Sequence, residues 1–294
     1  MAPPRAVRMT RFPVYSGEVL SGLRLRWIDV PAQKESGAPP LVLLHGLASR
    51  LEEYEELVPF LCAHRRVIVM DLPGNGYSDK PDQRYTLRFL EDAVLALLDR
   101  LALREADLGG GSLGGGLTLR LGHRETQRFP RLCPWAPAGA WKPMRLLPLL
   151  VRALSGRRTF WPAMWVQSRF WYRRDWPGRQ EALRSSFAHY REVVSPGFLR
   201  MYWEIGIEQG ESSLYPLAPQ TPQPTLLLWG DQDHGLNMGE GVRTLATLLP
   251  RVRLHIFKGA RHSLANEVPE DLGRTLDAFL RESAGLTTSP APAY

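Results

Sequence analysis

Cysteine is almost missing from this chain: 294 residues carry only two, Cys62 and Cys133. They fall in segments that read as helix and strand, so two buried thiols are expected rather than a disulfide, which points to a reducing, cytoplasmic setting. No run of 18 apolar residues occurs, so no transmembrane segment is expected. The opening MAPPRAVRMTRFPVY holds arginines but no apolar stretch behind them, and no secretory signal is predicted. The seven histidines form neither HExxH nor a Cys/His finger, so neither metal dependence nor finger-type nucleic-acid binding is expected.

What is present is the composition of an ordinary globular protein, 44% apolar and 23% charged, long enough for a substantial core. The net charge of +7 is unevenly distributed. Between Trp141 and Arg200, eleven arginines and one lysine face only Asp175, Glu181 and Glu192, an excess that exceeds the whole chain's. Without an RNA-binding aromatic signature or a basic coiled helix, the excess reads mostly as a solvated face and no specific nucleic-acid partner is expected.

Hydrophobic periodicity divides the chain into alternating units. YSGEVLSGLRLRWIDV reads as an edge hairpin, and Leu41 to Leu44 as a strand buried on both faces. A helical pattern over Leu51 to Cys62 leads to a strand Val67 to Met70 ending at Asp71, and Thr86 to Leu101 is helical again. Ala106 to Leu108 is a weak strand ahead of the helical Leu117 to Leu121. Later come a strand Thr225 to Trp229, a helix Asn237 to Leu249, a strand Val252 to Phe257 and a helix Pro269 to Leu280. These units predict an α/β fold, a mostly parallel sheet flanked by helices.

The alternation lapses after Ala136. The proline-punctuated stretch that follows, helical over Met144 to Leu154 and Glu181 to Arg191, predicts an inserted helical cap over 138–217, with the core formed by 1–137 and 218–294 and a mobile tail from about 284. Trp135, Trp141, Trp161, Trp165, Trp171 and Trp176 lie in or near it; most are expected to form the cap's own core, with one or two facing the site.

LGGGSLGGG sets Ser112 between Gly110 and Gly114, at a predicted strand-to-helix turn. Such a turn is tight and strained, and demands small residues two positions either side of a nucleophile. A serine needs a base, and the base an acid to fix its tautomer. His262 follows the last strand and Asp233 the strand before it, with Asp231 a competitor, so Ser, Asp and His occur in the order this architecture uses at strand carboxyl ends. DLPGNGYSD lacks the phosphate-binding glycine spacings, and an activated serine accounts for GGGSLGGG more economically than a dinucleotide, so no cofactor is expected. Asp71 and Asp79 read as turn residues.

LVLLHGLAS, VIVMDLPGNGYSDKP, GGGSLGGGLTL, LLLWGDQD and ARHS together resemble the α/β-hydrolase fold family, in its cap-bearing serine hydrolase branch. The resemblance implies Ser112 as nucleophile, Asp233 as acid, His262 as base, and the backbone amides of Leu47 and Leu113 as oxyanion donors. His45 and Gly46 would then order the oxyanion loop, and Gly110, Gly111 and Gly114 the elbow. Two departures are notable: Gly111 stands where relatives often have His, and Gly74-Asn75-Gly76 where many have Gly-His-Gly. The implied reaction is hydrolysis of a small to medium, partly apolar carboxylic ester or related activated acyl compound. Carbon-carbon bond hydrolysis of a diketone-like substrate, with cap arginines meeting its carboxylate, is the main alternative. Amide-bond cleavage ranks lower, and a non-catalytic protein binding an anionic partner through the basic cap is the reading of a different class.

Overall fold

The computed structural model describes residues 10–34, 36–143, 146–235 and 238–282. Met144, Arg145, Asn237 and the C-terminal tail, which figure in the expectations above, lie outside them.

Eight strands form one sheet: β1 (Val14–Leu20), β2 (Leu23–Val30), β3 (Leu41–Leu44), β4 (Val67–Asp71), β5 (Asp107–Gly111), β6 (Leu132–Trp135), β7 (Thr225–Gly230) and β8 (Val252–Phe257). Their order is β1-β2-β4-β3-β5-β6-β7-β8. β1 and β2 form the predicted antiparallel hairpin, β2 runs antiparallel to β4, and every pairing from β4 through β8 is parallel.

Among the described residues ten α-helices accompany them: α1 (Val58–Leu61), α2 (Leu87–Arg100), α3 (Leu113–Arg124), α4 (Leu147–Leu154), α5 (Arg157–Trp171), α6 (Arg179–Val193), α7 (Pro196–Glu211), α8 (Met238–Leu248), α9 (Leu264–Glu267) and α10 (Pro269–Arg281). The sheet separates two apolar cores. Val42 and Leu44 pack with residues of α2, α3 and α8 on one face, while Leu41 and Leu43 pack with α1, α9 and α10 on the other. This division follows from the alternation of side chains along β3, where all four residues are buried.

α2 illustrates the local logic. The Thr86 hydroxyl accepts from the Phe89 amide and caps the helix start, and Leu87, Leu90, Val94, Leu97 and Leu98 form its buried stripe. Each such side chain contributes about 2 kcal/mol through burial, and the cap about 1 kcal/mol. Helices α4–α7 all fall between β6 and β7, so they form an inserted helical region. Its centre is Phe160, fully buried and edge-on to Tyr190, Phe198 and Tyr202.

Two local expectations need correction. The helix over Leu51 to Cys62 is instead a 3-10 turn, Leu51–Tyr54, followed by the single-turn α1. Pro59 explains the restart, because it has no N–H to continue a helical ladder and suits a first-turn position. Strand β5 runs through the glycines to Gly111 instead of stopping at Leu108. Its buried Asp107 is tolerated because Arg65 and Arg131 both reach it at 2.9 Å.

Candidate active site

The elbow begins where β5 ends and α3 starts. Ser112 lies between them with φ 55° and ψ −117°, a left-handed backbone that costs a non-glycine residue energy and persists only where its surroundings enforce it. Those surroundings are close. A Cβ at Gly110 or Gly114 would collide with the Leu44 carbonyl, so only glycine lets the turn approach β3. Tyr54 braces the same point: its hydroxyl donates to the Leu44 carbonyl at 2.9 Å and accepts from the Gly111 amide at 3.1 Å.

Gly111 itself has a packing reason. A side chain there would run into the Trp135 indole, which takes the space beside the elbow. The departure from the histidine of relatives thus follows from a tryptophan on the neighbouring strand.

His45 closes β3 and ties the adjoining loop down. Its Nδ1 lies 2.7 Å from the Gly46 carbonyl and its Nε2 3.0 Å from the Leu72 amide, which fixes Nδ1 as the donor and Nε2 as the acceptor. Asn75, at the second departure, accepts from the Ala48 amide at 2.9 Å through Oδ1. The Asn75 amide nitrogen in turn donates to the Pro73 carbonyl. The loop carrying Leu47 is therefore held from two sides. The Leu113 amide opens α3, where first-turn N–H groups have no helical acceptor and face outward with the positive end of the helix dipole.

Asp233 and His262 come from the loops after β7 and β8. Asp233 is buried, and its Oδ2 lies 2.7 Å from His262 Nδ1. Burial alone would lower the imidazole's proton affinity; the charge and hydrogen bond of Asp233 outweigh it and hold His262 above its ordinary value. Asp231 turns elsewhere, accepting from the Gly259 amide at 2.7 Å. The acidic turn residues also have structural partners: Asp71 accepts from Leu51, Tyr77 and Arg26, and Asp79 from the Arg24 amide.

Ser112, Asp233 and His262 line one cavity of about 570 Å³, together with Gly46, Leu47 and Gly111. No hydrogen bond joins Ser112 to His262 among the described residues; such bonds commonly tighten only around a bound substrate. The inserted helices roof the cavity with Phe170, Trp171, Tyr190, Tyr202 and Trp203. The aromatic contribution is larger than expected: Trp135, Trp141 and Trp171 all face the cavity, whereas Trp165 lies on the surface beneath Arg169. No lysine or arginine lines it among the described residues. The cap arginines instead meet acids outside it, as Arg152 does Glu211 and Arg200 does Asp82.

Sequence reasoning missed two residues here. Glu53, hidden in the acidic run LEEYEEL, lines the cavity. Glu267 is buried and links the His262 loop to the inserted helices, accepting from the Arg261 amide at 3.2 Å and from the Arg173 amide at 3.1 Å. Its position in the first helix after ARHS was the only available signal. No group of metal-binding side chains occurs among the described residues, and none of their helices is long and apolar enough to cross a membrane.

Comparison with known proteins agrees with this fold. A family model described as alpha/beta hydrolase fold matches residues 39–133. The chain is 28% identical over 264 residues to the dihydrolipoyllysine-residue acetyltransferase component of the acetoin cleaving system of Pseudomonas putida, covering 90% of this chain and 68% of that protein. It is also 28% identical over 269 residues to a 2-hydroxymuconate semialdehyde hydrolase of Pseudomonas sp. (strain CF600), covering 85% of this chain and 89% of that one. The solved enol-lactonase from Burkholderia xenovorans LB400 superposes with a TM-score of 0.79 at 24% identity, over 91% of this chain and 100% of that one. With its mostly parallel eight-stranded sheet and the helical insertion after β6, the chain has an α/β-hydrolase fold with a cap-like helical insertion.

Proposed function

We propose that the protein is a serine hydrolase that cleaves a small to medium carboxylic ester, or a related activated acyl compound, through an acyl-enzyme on Ser112. The observation that carries this reading is the convergence on one cavity of a serine in a strained elbow and a histidine bonded to a buried carboxylate. Relatives named as a semialdehyde hydrolase and a lactonase support acyl chemistry on this framework. The region 138–217 acts as the cap and the rest as the catalytic core.

In the proposed reaction Ser112 Oγ attacks the carbonyl carbon as its proton passes to His262 Nε2. Asp233 keeps the other ring proton on Nδ1 and stabilises the imidazolium. The oxyanion receives hydrogen bonds from the Leu47 and Leu113 amides. The carbon-oxygen bond then breaks, the departing alkoxide takes the proton from His262, and the acyl group stays on Ser112. Water adds to that ester while His262 removes its proton, and collapse returns the serine and releases the acid.

Carbon-carbon bond hydrolysis ranks second: two relatives are named 2-hydroxymuconate semialdehyde hydrolase, but the absence of a lining arginine or lysine among the described residues disfavours anchoring a carboxylate there. Exposure to a fluorophosphonate followed by mass spectrometry tests the main reading. The expected result is a covalent adduct at Ser112 in the wild type and none in a folded S112A, together with loss of p-nitrophenyl ester turnover. An unlabelled wild-type Ser112 would refute it.

A further inference from the structure

The cavity has a charge pattern that bears on which acyl groups enter it. Its wall is largely aromatic and carries no lysine or arginine among the described residues. Besides Asp233, whose carboxylate is engaged with His262, its only acidic side chain among the described residues is Glu53. Glu53 lies in the 3-10 turn Leu51–Tyr54, one residue before the tyrosine that braces the elbow, so a fixed element carries it.

Glu53 makes no ion pair among the described residues, unlike its neighbour Glu52, which binds Arg26. Protein surrounds it, yet it keeps some accessible surface, and that surface faces the cavity. His262 lies near enough to feel its charge, as do Tyr172 and Tyr190 on the cap side. No lysine or arginine pairs directly with this carboxylate among the described residues, so its desolvation is offset only in part, by the nearby Ser49 hydroxyl and the charge of Arg50. The rings around it offer a cation a second favourable surface, since the face of an aromatic ring attracts positive charge.

Building on the serine hydrolase reading, we infer that Glu53 is a specificity-determining residue that favours substrates with a cationic acyl group and rejects those with a carboxylate. Burial raises the carboxyl's proton affinity, with the nearby Ser49 hydroxyl and the charge of Arg50 opposing, so a substrate cation also helps to keep it ionised. A substrate carboxylate gains no such partner: its charge opposes ionisation of Glu53, and no arginine or lysine lines the cavity among the described residues to receive it. The preference is therefore cation over neutral over anion, set from the core side of the cavity and independent of the basic outer face of the cap.

Three p-nitrophenyl esters of matched chain length test this, their acyl chains ending in trimethylammonium, tert-butyl or carboxylate. The wild type should turn over the ammonium ester with a kcat/KM at least about tenfold above that of the carboxylate ester, with the tert-butyl ester between them. A tenfold ratio corresponds to about 1.4 kcal/mol. E53Q, isosteric but uncharged, should bring the cation-to-anion ratio below about threefold while keeping fluorophosphonate labelling of Ser112. The inference fails if the wild type accepts the carboxylate ester as readily as the neutral one, or if E53Q leaves the ratio unchanged. Labelling separates these failures from failure of the hydrolase reading, because a charge-indifferent enzyme still reacts at Ser112. If E53Q does not fold, the wild-type ranking alone decides.

Discussion

Lowering the pH should weaken this protein through one histidine outside the Ser112, Asp233 and His262 group. His189 of α6 is only 2% exposed, and neither of its ring nitrogens has a hydrogen-bond partner. Its ring packs edge-on against Tyr77 at 5.1 Å and lies beside Tyr190. Burial, together with the positive charges of Arg50, Lys80 and Arg26, pushes its pKa down to about 2. Folded His189 is therefore neutral at any ordinary pH, whereas in the unfolded chain it titrates near 6.5. Below 6.5 the unfolded state binds a proton that the folded state refuses, so stability present above that pH is lost as pH falls. Between pH 7.5 and pH 5 the loss is about 2 kcal/mol, from one and a half pH units at 1.36 kcal/mol each. Urea unfolding of wild type and His189→Phe at both pH values isolates it, because phenylalanine keeps a ring against Tyr77 and cannot titrate. The wild type should lose about 2 kcal/mol more than the variant over that interval. Parallel pH dependence in the two proteins would refute the reasoning.

Asp233→Asn should lower kcat by about three to four orders of magnitude, because the imidazole loses its charged partner and its correct tautomer. Its residual activity should rise with pH through a limb displaced to lower pH than the wild type's, since Asp233 is what holds His262 up; a pH-rate profile of kcat/KM checks both. Gly111→Ala should cost about 1–3 kcal/mol from overpacking against Trp135, read as a lowered Tm and slower labelling of Ser112. Glu267→Gln puts an NH2 group against the Arg261 or the Arg173 amide, at a cost of about 1–3 kcal/mol. Hydrogen exchange should then quicken in both the 169–173 and the 261–263 segments; quickening in only one would mean that Glu267 does not couple them.

The parts of the molecule legible in the sequence are those set by local rules. β8 spans Val252–Phe257 as its pattern predicts, and α2 begins directly after Thr86, a residue suited to capping. Gly110 and Gly114 announce the elbow because backbone approach to Leu44 leaves no alternative residue type. The helix over 51–62 was misjudged because apolar spacing survives a break, and the proline that restarts the ladder also suits a first turn. Glu53 stayed hidden because a carboxylate in an acidic run reads as solvated, and only the folding of α5–α7 over it turns that face inward.

This difference in legibility has a physical origin. Strand ends deliver Ser112, Asp233 and His262 to one edge of the sheet whatever covers it, since parallel strands share a direction and the loops after them share a side. The cavity wall is assembled otherwise, from Tyr54 on the core, Trp135 at a strand end and Trp171 and Trp203 on separate helices. Helical spacing in the cap cannot identify those residues, because helix faces there are chosen by packing: Trp165 and Trp171 share α5, yet one lies on the surface and the other in the wall. Reaction type is thus carried by topology and substrate choice by tertiary contact. A change confined to α5 or α7 should accordingly alter which ester is taken while leaving the His262–Asp233 pair intact.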